Sequence, residues 1–266
     1  MKLAIFSGAG QLPVLIKTAH PDAIVIGFDG MPNDLENYTQ IHRFEQLGVL
    51  FHTLQDQGVT HIVMAGAMSR PAFSPDLSDE FTTAALPDLM RALAMGDDHL
   101  LRYLIAMIEK QGFTVVGAHE LLPLTRPSGY VVGQIPEGIR TDIERADAVL
   151  GALSPLDIGQ GVVVENGLIL GIETLQGTAA LLSFVSQTDT KLRATRRGVL
   201  VKRPKQGQDL RVDMPTIGPD TIDQVASAGL SGIVISPDAV VVLNERHVVE
   251  RATQLGVFVI ATEVTK

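Results

Sequence analysis

The chain has 266 residues, 45% of them hydrophobic and 19% charged, enough to bury the core of one large domain or two modest ones. It contains no cysteine, which excludes disulfides and thiolate metal sites and suits a reducing compartment. The formal charge of -9 argues against a nucleic-acid binder, whose footprint is basic; no secretory leader is expected after Met1-Lys2, and no apolar run reaches the roughly 18 residues of a membrane span.

In chain order, Leu3 to Phe6 reads as a strand ending at Ser7-Gly8-Ala9-Gly10, followed by a helix-like stretch from Pro13 to Thr18. Ala23 to Phe28 is a second apolar run, stopped by Asp29-Gly30; Gly48 to Gln57 reads as a helix and His61 to Gly66 as another buried strand. Strands alternating with helices at this spacing predict βαβ units and a Rossmann-like parallel sheet. Leu86 to Met95 and His99 to Lys110 carry apolar residues at three-to-four spacing and read as amphipathic helices, with Asp97 and Asp98 at the start of the second. Phe113 to Gly117 supplies one more strand before Ala118-His119-Glu120.

From Leu122 to Gly138 the pattern dissolves into Pro123, Pro127, Gly129, Gly133, Pro136 and Gly138. The expected organisation is an N-terminal domain over 1–130, a linker over 131–139 and a C-terminal catalytic domain over 140–266. After a helix from Arg140 to Leu153, short strands are expected at Gly161 to Glu165, Leu168 to Glu173, Gly198 to Lys202, Gly232 to Ile235, Val240 to Leu243 and Val257 to Ala261. Asn166-Gly167 marks a two-residue hairpin turn. Helices are expected at Thr178 to Ser186, Thr221 to Ala228 and Glu245 to Gln254. The C-terminal domain therefore reads as mixed α/β or α+β.

Chemistry concentrates in a few places. Gly8, Gly10 and Gln11 follow the first strand like a dinucleotide fingerprint, with Asp29 about 20 residues on; Pro13 replaces the third glycine, so a phosphate contact and a plain tight turn both stand. Ser69 and Arg70 follow a strand at the position where open α/β sheets bind ligands, and a surface loop is the alternative. Asp98 and His119 are either cleft-lining or structural. Asp157 and Gln160 sit in a glycine-bracketed turn, either a loop or a hydrogen-bonding site for a sugar or base. Gln176-Gly177-Thr178 opens a helix whose amides suit a phosphate. The histidines show no pair at metal-ligand spacing.

The densest segment runs from Lys202 to Asp213. If Gln208 to Val212 is extended, Asp209, Arg211 and Asp213 share one face. Two carboxylates there suit Mg²⁺, while Lys202, Lys205 and Arg211 neutralise phosphate oxygens; a salt-bridged exposed loop is the alternative.

Ser7 to Pro13, Gly66 to Pro71, Gly96-Asp97-Asp98, Gly117 to Glu120, Asp157 to Gly161 and Lys202 to Gly218, in this order along essentially the whole chain, resemble the LpxI family. The resemblance implies a two-domain UDP-2,3-diacylglucosamine pyrophosphatase of lipid A biosynthesis that uses Mg²⁺ and releases UMP and lipid X. It implies attack at the phosphorus nearer the sugar, substrate held between the domains, peripheral contact with the cytoplasmic face of the inner membrane and a homodimer. The family's arginine-x-aspartate-x-proline motif is here Arg211-Val212-Asp213-Met214-Pro215, which makes Asp213 the catalytic carboxylate and a metal ligand, with Asp209 its partner. Relatives read glutamate-glycine-threonine-aspartate where this chain has Gln176-Gly177-Thr178-Ala179, leaving Asp209, Asp213 and Glu173 to support the cation. The helix from Thr178 to Ser186 is either a wall for acyl chains or ordinary core. The competing readings are a Rossmann-type nucleotide-sugar oxidoreductase or transferase and a non-catalytic nucleotide-sugar sensor.

Overall fold

A computed structural model describes residues 1–35, 37, 39–68, 73–193 and 197–264. The chain divides into two compact units, Met1–Pro123 with Arg211–Asp213, and Leu124–Leu210 with Met214–Lys266.

In the N-terminal unit β1 (Leu3–Ser7), β2 (Ile24–Phe28), β3 (Thr39–His42), β4 (His61–Ala65) and β5 (Thr114–Val115) form a parallel sheet in the order β3-β2-β1-β4-β5. Every residue of β1 is buried, as expected of a central parallel strand covered on both faces. Helices α1 (Gln11–Ala19), α2 (Leu47–Asp56), α3 (Glu80–Ala94), α4 (Asp97–Lys110) and α5 (Ala118–Leu121) join the strands. Leu47, Leu50, Phe51 and Leu54 repeat at helical spacing along α2, and they pack with Phe6, Ile26, Ile62, Ile105 and Ile108. The strand order reverses direction at β1 and β4, the topological switch point of such sheets.

The start of α3 escaped the periodicity because Glu80-Phe81-Thr82-Thr83 precedes its apolar repeat. Its signal is the cap: Asp79 accepts from the Thr82 amide at 2.7 Å and also from the Val49 amide at 3.0 Å. Partial burial alone would raise the Asp79 pKa, but the bonds from Thr82, Val49 and Gly48 outweigh it and hold the carboxyl below its ordinary value. The stabilisation is therefore present above the unfolded pKa and lost as pH falls through the lower folded one. Asp79→Ala is expected to cost about 1 kcal/mol at neutral pH, and the cost should vanish in acid; denaturant titrations at both pH values check this.

The C-terminal unit has a six-stranded sheet in the order β6-β13-β11-β9-β7-β8, formed by β6 (Val131–Val132), β7 (Gly161–Glu165), β8 (Leu168–Ile172), β9 (Val199–Lys202), β11 (Gly232–Ile235) and β13 (Phe258–Ala261). β9, β11 and β13 are parallel, whereas β6 runs against β13, and β7 runs against both β8 and β9. β10 (Thr216–Ile217) pairs separately with β12 (Val241–Val242). Asn166 and Gly167 both have positive φ, 49° and 76°, in the tight turn joining β7 to β8.

Period-two alternation divides this sheet into two cores. Val162, Val164, Val199, Val201 and Val234 pack against α6 (Ile139–Leu153), while Val163, Leu200, Ile233, Ile235 and Val259 pack against α7 (Gly177–Ser186), α8 (Pro219–Ser227) and α9 (Glu245–Leu255). The architecture is thus α/β throughout, with a parallel N-terminal sheet and a mixed C-terminal one. The extended reading of Gln208 to Val212 does not hold. β9 ends at Lys202, and residues 206–207 and 210–212 are turns, so alternation does not put Asp209, Arg211 and Asp213 on one face.

Candidate active site

In the N-terminal unit, the loops after β1 and β4 are sewn together. The Gly8 amide donates to Ala65 O at 2.8 Å, and Ala9 and Ala67 exchange both backbone bonds, at 2.9 and 2.8 Å. A Cβ on Gly8 would stand 2.4 Å from Ala67 O, so this glycine is required by backbone against backbone. Gly10, at φ 104°, precedes α1, and its amide donates to Asp34 Oδ2 at 2.5 Å. A carboxylate thus already sits at the α1 N-terminus, where a phosphate would compete with it; Gln11, the first helical residue, is exposed. Ser69 and Arg70 lie outside the described residues.

Asp97 and Asp98 occupy the first turn of α4 behind Gly96, and Asp98 Oδ2 accepts from Arg102 Nε at 2.6 Å. His119 lies on α5 with its ring folded over Gly117: a Cβ there would be 2.4 Å from the ring Cε1 and 3.2 Å from the Arg211 Cα. The structure therefore brings His119 and the Arg211 backbone together. The Arg211 guanidinium donates to Glu109 Oε1 at 2.7 Å, and Val212 packs on the N-terminal core. Asp213, half-buried, ends this anchored tripeptide.

In the C-terminal unit, the antiparallel pairing of β7 and β9 sets Gly161 opposite Lys202. Just beyond the end of β8, the Glu173 amide donates to Gly161 O at 2.8 Å. Lys202, 3% exposed, points its Nζ at Thr178 Oγ1 (2.6 Å) and Thr216 O (3.3 Å), with Glu173 Oε2 at 3.6 Å. Lys205 Nζ donates to Asp157 Oδ1 at 2.5 Å, and the Arg203 amide donates to Gln160 O at 2.9 Å. Lys202, Thr178 and Glu173 thus form one cluster, and Lys205 with Asp157 another contact in the same unit. Asp209 belongs to this unit as well.

Arg203 was not singled out by its sequence, because its partner lies 56 residues away. Its guanidinium grips Asp147 through Nε at 2.9 Å and Nη2 at 3.3 Å, and donates to Ile235 O at 3.0 Å and to Thr262 O. This buried clamp fixes the chain directly after Lys202. Helix α7 serves two purposes: Leu181, Leu182 and Val185 are buried in the core, while Ala180 and Phe184, with Gly171, Ile172, Thr174, Gln176 and Leu181, line a cavity of about 240 Å³. Among the described residues no three His, Asp or Glu side chains cluster at metal-binding range.

Comparison with known proteins accounts for both units. Residues 2–125 match the LpxI N-terminal domain and residues 127–260 the LpxI C-terminal domain. The UDP-2,3-diacylglucosamine pyrophosphatase LpxI of Caulobacter vibrioides is 38% identical over 275 residues, covering 98% of this chain and 98% of its own. A chain that carries both domains in that order, at that identity and over that length, belongs to the LpxI family.

Proposed function

We propose that this protein hydrolyses the pyrophosphate bond of UDP-2,3-diacylglucosamine, releasing UMP and 2,3-diacylglucosamine 1-phosphate for lipid A biosynthesis. The observation that carries the reading is the 38% identity to a UDP-2,3-diacylglucosamine pyrophosphatase, spread over 98% of both chains and so over both units.

In this reading Asp213 is the catalytic carboxylate and orients the attacking water. Lys202, Lys205 and Arg211 offset the charge of the pyrophosphate, and the Thr178 hydroxyl with the first amides of α7 donates to its oxygens. The apolar cavity between β8 and α7 supplies surface of the kind an acyl chain needs. Mg²⁺ suits the donor chemistry of Asp213 and Asp209, because this ion takes one or two carboxylates together with substrate phosphates and keeps several waters, without needing a larger cage of side chains. When bound, it supplies charge neutralisation at the pyrophosphate and at the UMP leaving group. The substrate is a lipid, which places the work at a membrane surface, and among the described residues no helix is long and apolar enough to cross a membrane.

The test is release of UMP from UDP-2,3-diacylglucosamine with and without Mg²⁺, run in ¹⁸O-labelled water. Metal-dependent release with the label in the sugar phosphate is expected. No release under either condition would overturn the reading, and label in UMP would reverse the site of attack.

A further inference from the structure

Glu173 lies one residue past the end of β8, and its carboxylate is turned into the protein. Its Oε2 is buried and makes no hydrogen bond among the described residues, yet it lies 3.6 Å from the Lys202 ammonium. The ammonium is itself buried and aims its protons at Thr178 Oγ1 and Thr216 O. Burying an ammonium is costly unless an opposite charge stands beside it, so Glu173 supplies that charge while Thr178 and Thr216 supply direction.

The carboxylate sits in a notch cut by two glycines. A Cβ on Gly161 would fall 2.4 Å from Glu173 Oε2, and one on Gly159, whose φ is 60°, would fall 2.1 Å from Glu173 O. The glycine spacing in Asp157-Ile158-Gly159-Gln160-Gly161 thus has a physical purpose, which is to admit Glu173.

We propose that Glu173 is a positioning residue, held in the Gly159–Gly161 notch so that its carboxylate seats the Lys202 ammonium at the amino end of α7, where the ammonium meets a substrate phosphate. The inference rests on the assignment of Lys202 and Thr178 to the pyrophosphate.

KM and kcat for UDP-2,3-diacylglucosamine, with melting temperatures, are to be measured for the wild type, Glu173→Gln, Gly161→Ala and the double variant Glu173→Gln/Lys202→Met. Glu173→Gln is expected to raise KM roughly tenfold with kcat nearly unchanged, the pattern of binding lost equally from the ground and transition states. Gly161→Ala displaces the carboxylate without removing it and should raise KM in the same direction. Adding Lys202→Met removes the uncompensated charge, so the melting temperature should recover while KM stays high. Wild-type KM in both single variants, a loss confined to kcat, or KM recovering together with the melting temperature would each overturn the proposal. A wild-type protein that releases no UMP overturns the substrate assignment, and this inference with it.

Discussion

Asp213→Ala is expected to lower kcat about a thousandfold, close to 4 kcal/mol of transition-state stabilisation, while the protein still folds and still binds substrate. The reason lies in how the residue is held. Arg211 is tied to Glu109 at 2.7 Å and Val212 is packed on the N-terminal core, so the backbone that presents Asp213 is fixed by its neighbours. Alanine removes the carboxylate and leaves that anchor alone. Asp209→Ala, outside the tripeptide, should cost less. Single-turnover kinetics and binding of UDP-2,3-diacylglucosamine to the variant check the prediction, and near-normal turnover would remove Asp213 from its assigned role.

The largest effect on stability is expected at Arg203. Arg203→Met leaves Asp147 charged and buried and strips bonds from the carbonyls of Ile235 and Thr262. Breaking a buried pair from one side costs about 3–5 kcal/mol, which corresponds to a melting temperature lower by roughly 10 °C. Replacing both partners, as Arg203→Met/Asp147→Leu, should recover much of the loss, because no uncompensated charge remains. Thermal unfolding of the three proteins decides it: a single variant that melts like the wild type shows the clamp to be dispensable. Arg193 and Glu165, paired at 2.7 Å and equally buried, form a second clamp of the same kind.

What was legible beforehand followed the range of the interactions. The strands β1, β4, β7, β9, β11 and β13 are short and largely apolar, and they announce themselves because both of their faces are covered. Asn166-Gly167 declared its turn through positive φ, which those two residues tolerate. The ion pairs Arg203–Asp147 and Arg193–Glu165 were invisible because their partners stand 56 and 28 residues apart, and each arginine alone reads as surface. The β3 strand lacks an apolar run, and its burial does not alternate, so no period marks it. Charge density marks the segment after Lys202, but charge carries no information on whether the backbone extends or turns. That geometry is set by local bonds such as the Lys205 amide to Gln208 Oε1 at 2.9 Å. The glycines of the Asp157 to Gly161 turn read as loop residues, whereas their requirement comes from Glu173, across the β7–β8 hairpin.

The membership of Arg211–Asp213 in the N-terminal unit has a consequence for synthesis. That unit is otherwise finished at Pro123, so the ribosome must add 90 more residues, from 123 to 213, before its last piece exists. At roughly 5–20 residues per second this is a delay of about 5–20 s. Throughout it the nascent sheet stands without the side chain of Val212 and Glu109 without Arg211. The aspartate assigned to the chemistry is also the residue that closes the first unit.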